Sequence, residues 1–169
     1  MQKDEPEVQT PPSDEKSSTV VSIAEGLQGN TPVEDYSDPE FADIRDNWDW
    51  VKPGIEEILK DSSHLTFRPE DVYAECISGR AALYVTPIGF AVVTVSVDEY
   101  TKERRLFIWL AWVKDRGEHK WLLYEDWLNL LAVDLECERI EARSSVLELQ
   151  PYAVATGWRI DTVIYSREV

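Results

Sequence analysis

One stretch of eight residues constrains the fold more than any other part of the sequence. Leu106–Val113 reads LFIWLAWV, with no charged or amide side chain at any position. A strand with one face in water alternates apolar and polar residues, so an unbroken apolar run of this length indicates a strand covered on both faces. We therefore expect Arg104–Val113 to be a central strand, with other elements packed against each face of its sheet.

Two segments just before this strand have the composition of a β-hairpin. Residues 82–86 and 90–97 are rich in branched and aromatic side chains, and a Pro-Ile-Gly turn at 87–89 separates them. A polar connection over 98–103 then leads into the central strand. The sequence therefore predicts three consecutive antiparallel strands.

Proline and glycine punctuation predicts two helices before the hairpin. Pro69 suits the first position of a helix, Glu70 and Asp71 suit its positive end, and Gly79 suits its stop. An earlier amphipathic pattern over 55–59 follows Pro53 and predicts a short helix with this proline in its first turn.

The rest of the chain continues the alternation of helices and strands. Apolar spacing predicts a long helix over 122–136, followed by a strand over 139–145. A short helix over 147–155 and a closing strand over 159–165 complete the order. This order predicts an α+β fold with a mixed, mostly antiparallel sheet and helices on both faces.

The acidic charge is concentrated at the amino terminus. Residues 1–50 carry 13 acidic and 3 basic side chains, and residues 1–40 are rich in Pro and Ser and poor in large apolar residues. Such a segment buries too little surface to offset the entropy of ordering. We therefore expect an extended acidic tail over 1–40 and a folded domain over 41–169. The tail is either a solvated linker or, through residues 1–39, a docking segment for a protein partner, with 19–24 as a possible added strand.

Composition also excludes several classes of function. The formal net charge of −16 argues against direct binding to nucleic acid or to an anionic membrane. No run reaches the ~20 apolar residues that span a bilayer, and no secretion signal is recognisable. Cys76 and Cys137 stand alone, which predicts core thiols in a reducing, cytoplasmic compartment. Two isolated histidines, His64 and His119, predict no metal site.

This succession of elements resembles the GNAT superfamily of acyl-CoA-dependent N-acyltransferases over residues 48–169. The most similar pieces are the turn PIGF at 87–90, the strand 106–113 that feeds a glycine-containing loop and long helix, and the ending YAVATGW at 152–158. More narrowly, the chain resembles the acetyltransferase-like proteins that tailed phages encode among their virion genes. The resemblance implies a GNAT-like sheet, acetyl-CoA as cofactor, and a place in the host cytoplasm or the virion.

In this family the central strand offers peptide groups to the pantetheine arm, and the loop after it holds the pyrophosphate. The positions that match are Trp112, Val113, Lys114, Arg116 and Gly117. The family pattern [RQ]-x-x-G-x-[GA] places His119 where a small residue belongs, and Asp115 and Glu118 add negative charge. We therefore expect acetyl-CoA to bind weakly or not at all.

The resemblance also implies catalytic roles. Tyr152 matches the tyrosine that protonates the departing thiolate, although it is equally compatible with an ordinary buried-edge tyrosine. Glu75 is the first candidate for the base that deprotonates the amine, with Asp98 and Glu99 as further candidates. Two functions stay open: an N-acetyltransferase acting on a protein or a small amine, and a catalytically silent virion or binding protein with the same fold.

Overall fold

The predicted hairpin and central strand lie within a five-stranded sheet. The computed structural model describes residues 37–62, 64–115, 124–144, 149–163 and 167. The strands are β1 (Glu40–Ala42), β2 (Ala81–Thr86), β3 (Gly89–Val97), β4 (Arg104–Val113) and β5 (Arg139–Ala142). They lie side by side in chain order, with three antiparallel pairings and a parallel pairing of β4 with β5. The predicted mixed, mostly antiparallel sheet is therefore confirmed, and so are the bounds of β4.

Helices cover both faces of this sheet, as predicted. They are α1 (Ile44–Asp61), α2 (Pro69–Ile77), α3 (Glu125–Asp134) and α4 (Gln150–Ala155). Helices α1 and α2 pack on one face, and α3 packs on the opposite face. None of the described helices is both long and apolar enough to cross a membrane.

Alternation along the strands sends side chains into two separate cores. The larger core lies beneath α1 and α2, and it includes Ile44, Val51, Ile55, Val72, Leu83, Phe90, Val92 and Leu110. The smaller core lies beneath α3 and contains Val93, Leu106 and Ala132. Cys76 packs against the larger core, and burial raises the pKa of its thiol to about 11, so this thiol stays protonated at neutral pH.

Helix α2 begins and ends where the sequence predicts. The Arg68 backbone N–H donates to the Asp71 carboxylate at 2.7 Å, which satisfies a group that the first helical turn leaves without a partner. Pro69 occupies the first turn. Gly79 adopts φ +73°, a conformation that favours glycine, directly after the helix.

Helix α1 is much longer than predicted, and Pro53 lies in its interior rather than in its first turn. The start is set instead by Asp43, whose carboxylate accepts a hydrogen bond from the Arg45 backbone N–H at 2.9 Å. Buried Ile44 and Val51 extend the apolar stripe upstream of the proline. Packing on the sheet therefore outweighs the backbone hydrogen bond that a proline removes.

Several other boundaries differ from the predictions. The short strand β1 was not predicted, and it pairs with β2 from residues far away in sequence. The expected closing strand is wrong for residues 159–163, which belong to no strand, and the remainder of 159–165 lies outside the described residues. Helix α3 ends at Asp134 rather than at 136, its predicted start at 122 lies outside the described residues, and β5 ends at Ala142. The described residues from 37 onward belong to one compact unit, and residues 1–36 lie outside the described residues.

Candidate active site

The central strand β4 carries one more residue than β3 opposite it. Val92 pairs with Leu110 and Val93 pairs with Ile108, so Trp109 has no partner in β3. Such a bulge shifts the alternation of side chains by one position. Before it, Leu106 lies in the core beneath α3; after it, Leu110 lies in the core beneath α1 and α2. The bulge therefore redirects the second half of β4.

The same point marks where β4 and β5 part. The parallel pairing runs from Arg105 with Arg139 to Ile108 with Ala142, while β4 continues to Val113. No described strand pairs with this edge of β4 over Trp109–Val113. The two strands part at this point, and the edge of β4 over Trp109–Val113 that faces away from β3, here called the open edge, is paired by no described strand.

The hydrogen bonds to β3 determine which peptide groups of β4 lie on the open edge. The Lys114 backbone N–H donates to the Ile88 carbonyl at 2.8 Å. In an antiparallel pair these bonds alternate, so Trp112 also directs its N–H and C=O at β3, whereas Ala111 and Val113 direct theirs to the open edge. The Trp112 carbonyl lies so close to β3 that a Cβ built on Gly89 would be 2.2 Å from its oxygen. Ala111 and Val113, rather than Trp112, therefore direct their peptide groups to the open edge, and the assignment of Trp112 and Val113 to the cofactor stays a prediction.

The side chain of Trp112 anchors the end of β4 to helix α1. Its ring stacks on Phe90 with centroids 5.6 Å apart, and its indole Nε1 donates to Glu57 Oε2 at 2.7 Å. Gly54 lies one helical turn before Glu57, and its lack of a side chain lets both rings approach the helix closely. No local signal in the sequence marks Glu57, because the contact joins residues 55 positions apart.

A cleft of about 430 Å³ lies beside the bulge, on the face covered by α2. Its lining residues come from α2, the segment before it, β3 and β4, and they are Phe67, Asp71, Glu75, Thr94, Phe107 and Trp109. The rings of Phe67 and Trp109 are 5.2 Å apart between centroids. Because Trp109 is both the bulge residue and a wall of the cleft, the cleft adjoins the place where β4 parts from β5.

Glu75, the first candidate base, is one of the two carboxylates in this cleft. The Arg80 guanidinium contacts both of its oxygens at 2.7 Å. This pair holds the pKa of the Glu75 carboxyl below its usual value. At neutral pH the group is therefore an anion that attracts cations and is a weak proton acceptor.

Two other candidate bases, Asp98 and Glu99, are not among the residues that line the cleft. Asp98 caps the turn after β3 by accepting the backbone N–H groups of Tyr100 and Thr101. That turn joins the end of β3 to the start of β4, roughly 16 Å along the strand from Trp109, where the open edge begins, at ~3.3 Å per residue. Glu99 lies in the same turn, so the structure brings neither residue to the open edge.

Charged residues of both signs flank the connection from β4 to α3 in the sequence. Lys114 is exposed at the end of β4, and Asp115 follows it. The first turn of α3 contains Glu125 and Asp126, and Glu125 accepts a hydrogen bond from the Trp158 indole at 2.7 Å. The loop positions Arg116, Gly117, Glu118 and His119 lie outside the described residues.

Tyr152, the candidate proton donor, lies on α4 and its side chain is partly exposed. Its carbonyl accepts hydrogen bonds from Thr156 at the end of this helix. The Tyr152 assignment stays a prediction. His64 is exposed in the connection between α1 and α2.

Solved acetyltransferase structures share this architecture. A probable acetyltransferase superposes with a TM-score of 0.61 at 14% identity, covering 79% of this chain and 98% of its own. A ribosomal-protein-alanine N-acetyltransferase from Brucella melitensis biovar Abortus 2308 gives 0.56 at 16% identity, with 79% and 100% covered. An aminoglycoside acetyltransferase from an uncultured soil metagenomic sample, in complex with sisomicin, gives 0.57 at 10% identity, with 78% and 94% covered.

No protein-family model matches the sequence, and no curated protein is significantly similar to it. The likeness is therefore one of architecture: the chain has the mixed α+β fold of the GNAT acetyltransferases. At these identities the shared fold carries no information about substrate.

Proposed function

We propose that this chain is an N-acetyltransferase that moves an acetyl group from acetyl-CoA to an amine. The observation that carries the proposal is the open edge of β4 over Trp109–Val113, which begins at a bulge and adjoins a cleft large enough for an acceptor. Peptide groups that no described strand pairs are costly within a sheet unless a ligand or another group satisfies them. The pantetheine arm of the thioester would pair with the open edge, and the amine would occupy the cleft.

The described residues fit the acyl end of acetyl-CoA better than its phosphate end. The peptide groups of Ala111 and Val113 can pair with the amides of an extended pantetheine arm, as a neighbouring strand would. Lys114 offers one positive charge next to this edge. Glu125 and Asp126 place negative charge in the first turn of α3, where a pyrophosphate prefers unopposed N–H groups. We therefore expect binding that is weak but directed by the edge of β4.

The chain's own groups divide the chemistry as follows. Acetyl-CoA supplies an acyl group activated as a thioester. The Ala111 N–H, the outward-directed donor nearer to the cleft, donates to the carbonyl oxygen as negative charge develops on it, which lowers the barrier to attack. Glu75 holds the incoming ammonium and is the proposed base, weak because Arg80 stabilises its anion. Tyr152 is the proposed donor of the proton that the leaving thiolate needs.

The decisive experiment is calorimetric titration of the full chain with acetyl-CoA, followed by a turnover assay that detects free thiol with a panel of amines. We expect saturable binding that Lys114→Ala weakens. Lys60→Ala removes a similar charge at the far end of α1 and serves as the matched control. An absence of binding at millimolar acetyl-CoA, or equal effects of the two lysine variants, would contradict the proposed site.

The second candidate is a catalytically silent scaffold of the same fold, in which the acidic tail engages a protein partner. The salt bridge between Glu75 and Arg80 favours it, because a carboxylate so paired is a poor catalyst. In this second candidate function the protein would serve as a virion component or as a binding protein. Deletion of residues 1–39 should then abolish association with the partner while the unfolding transition of the domain is unchanged. Association that survives the deletion removes the tail from this account.

A further inference from the structure

The cleft beside the bulge combines an aromatic floor with an anionic wall. Three rings line it, those of Phe67, Phe107 and Trp109, and α2 contributes Asp71 and Glu75. These carboxylates lie four residues apart on one helix and therefore on the same helical face. The cleft is wide and open to solvent, so it suits a small ligand that is only partly enclosed. The lining therefore suits a ligand that has both an apolar group and a positive charge.

The aromatic floor is already in contact with a cation. The guanidinium of Arg143, just after β5, lies 5.2 Å from the centroid of the Phe107 ring. Ring faces attract organic cations in this geometry, and they also stack on the rings of a ligand. Arg143 follows directly after β5, whose pairing with β4 ends at Ala142. The Phe107 ring that it contacts therefore lies next to the point where the two strands part.

The anionic wall retains capacity for a ligand. The Asp71 carboxylate accepts the Arg68 N–H, and the Glu75 carboxylate pairs with Arg80, whose side chain is largely exposed. Exposed ion pairs of this type are weak, and each carboxylate oxygen can accept more than one hydrogen bond. An ammonium group can therefore join Glu75 without the loss of a strong interaction. The chain's formal charge of −16 further favours the approach of cations.

We propose that the cleft lined by Phe67, Phe107, Trp109, Asp71 and Glu75 binds a small primary amine that carries an aromatic ring. The ring lies on the aromatic floor, and the ammonium lies against Glu75. This inference rests on the proposed function, which it deepens by naming the class of acceptor. The amine nitrogen is thereby held beside the point where β4 leaves β5, next to the open edge that would receive the thioester.

The test measures binding directly, so it does not depend on acyl transfer. The full chain is titrated by calorimetry with 2-phenylethylamine, with butylamine, which lacks the ring, and with 3-phenylpropanoate, which reverses the charge. Each titration is repeated with saturating coenzyme A to allow for an ordered mechanism. We expect 2-phenylethylamine to bind about fivefold more tightly than butylamine, the ratio that one aromatic contact provides. We expect no binding of 3-phenylpropanoate.

Two carboxylates of α2 provide matched variants. Glu75→Gln removes the charge in the cleft, whereas Glu70→Gln removes a charge that pairs with Lys52 on α1 and does not line the cleft. We expect Glu75→Gln to weaken 2-phenylethylamine binding about fivefold, as for one partly exposed ion pair, and Glu70→Gln to leave it unchanged. Phe107→Leu keeps an apolar side chain and should abolish the preference for the ring.

The outcomes separate this inference from the proposed function. Binding of 2-phenylethylamine with the expected variant effects, in a chain that does not bind acetyl-CoA, supports the amine site and overturns the transfer reaction. Butylamine that binds as tightly as 2-phenylethylamine, equal effects of Glu75→Gln and Glu70→Gln, or no amine binding with or without coenzyme A overturns the inference.

Discussion

The substitution Gly54→Ala tests how α1 supports the end of β4. Gly54 faces two rings, and a Cβ at this position would lie 2.6 Å from Phe90 Cε1 and 3.0 Å from Trp112 Cδ2. Carbon atoms in van der Waals contact are about 3.5–4.0 Å apart. The new methyl group therefore forces α1 or the two rings to move by roughly an ångström, at the strand end that carries the proposed site.

Two opposing effects set the size of the change. Alanine in place of glycine in a helix interior stabilises it by about 1 kcal/mol. Overpacking a buried contact costs about 1–3 kcal/mol. The Phe90 ring is buried and is flanked by Trp50 and Trp112, so it has little room to retreat and the upper part of the range applies. We expect a net loss of about 1–2 kcal/mol in the free energy of unfolding.

Urea unfolding followed by tryptophan fluorescence measures this loss, and a double-mutant cycle identifies its cause. Phe90→Leu removes the Cε1 and Cζ atoms that the new methyl group would meet. In that background Gly54→Ala should become neutral or stabilising, because the helical preference for alanine remains and the clash is reduced. Asp49→Ala, at an exposed position of the same helix, is the control for propensity alone.

Gly54→Ala should also affect acetyl-CoA binding. Displacement of the Trp112 ring should disturb its bond to Glu57 and weaken acetyl-CoA binding in Gly54→Ala, with recovery in the double variant. An equal cost of Gly54→Ala with Phe90 and with Leu at position 90 would refute the packing argument, whatever the size of that cost.

Three further predictions concern charge and proton transfer. The side-chain hydrogen bond from Arg45 lowers the pKa of Asp43 from 3.8 to about 2, so the contribution of Asp43 to folding stability is complete above pH 3.8 and is lost as the pH falls towards 2. In acid unfolding experiments, Asp43→Asn should therefore flatten the pH dependence of the free energy of unfolding between pH 3.8 and 2. An unchanged pH dependence contradicts this. Asp126→Asn should tighten acetyl-CoA binding up to about fivefold in calorimetry, with Asp134→Asn at the other end of α3 as the control, because it removes a negative charge near the proposed phosphate position. Tyr152→Phe should lower kcat roughly 100-fold at unchanged acetyl-CoA affinity, while Tyr100→Phe at an exposed turn should not; an unchanged kcat removes Tyr152 from the mechanism.

Local signals account for the parts of the fold that sequence analysis predicted correctly. The start of α2 depends on Pro69 and on Asp71 a few residues later, and its end depends on Gly79. The bounds of β4 follow from an apolar run flanked by polar segments. In each case the residues that determine the bounds of the element are close together in the sequence, so local sequence patterns are enough to predict those bounds.

Distant contacts account for the parts that it missed. The three residues of β1 are a strand only because Glu40–Ala42 pairs with the end of β2. Pro53 is a sound signal for a helix start, but α1 gains more from burying Val51 and Ile55 on the sheet than it loses at one hydrogen bond. The bond between Glu57 and the Trp112 indole has no local signal at all.

The bulge at Trp109 explains why side-chain motifs say little about this site. In an unbroken apolar strand every residue suits either face, so the sequence carries no mark of where the alternation changes. A regular strand would place Leu106 and Leu110 on one face, yet they lie in cores on opposite sides of the sheet. The extra residue bends β4 at the position where its pairing with β5 ends. The open edge is thus a consequence of strand length and core packing, and it can persist while the loop residues that would bind a phosphate change freely.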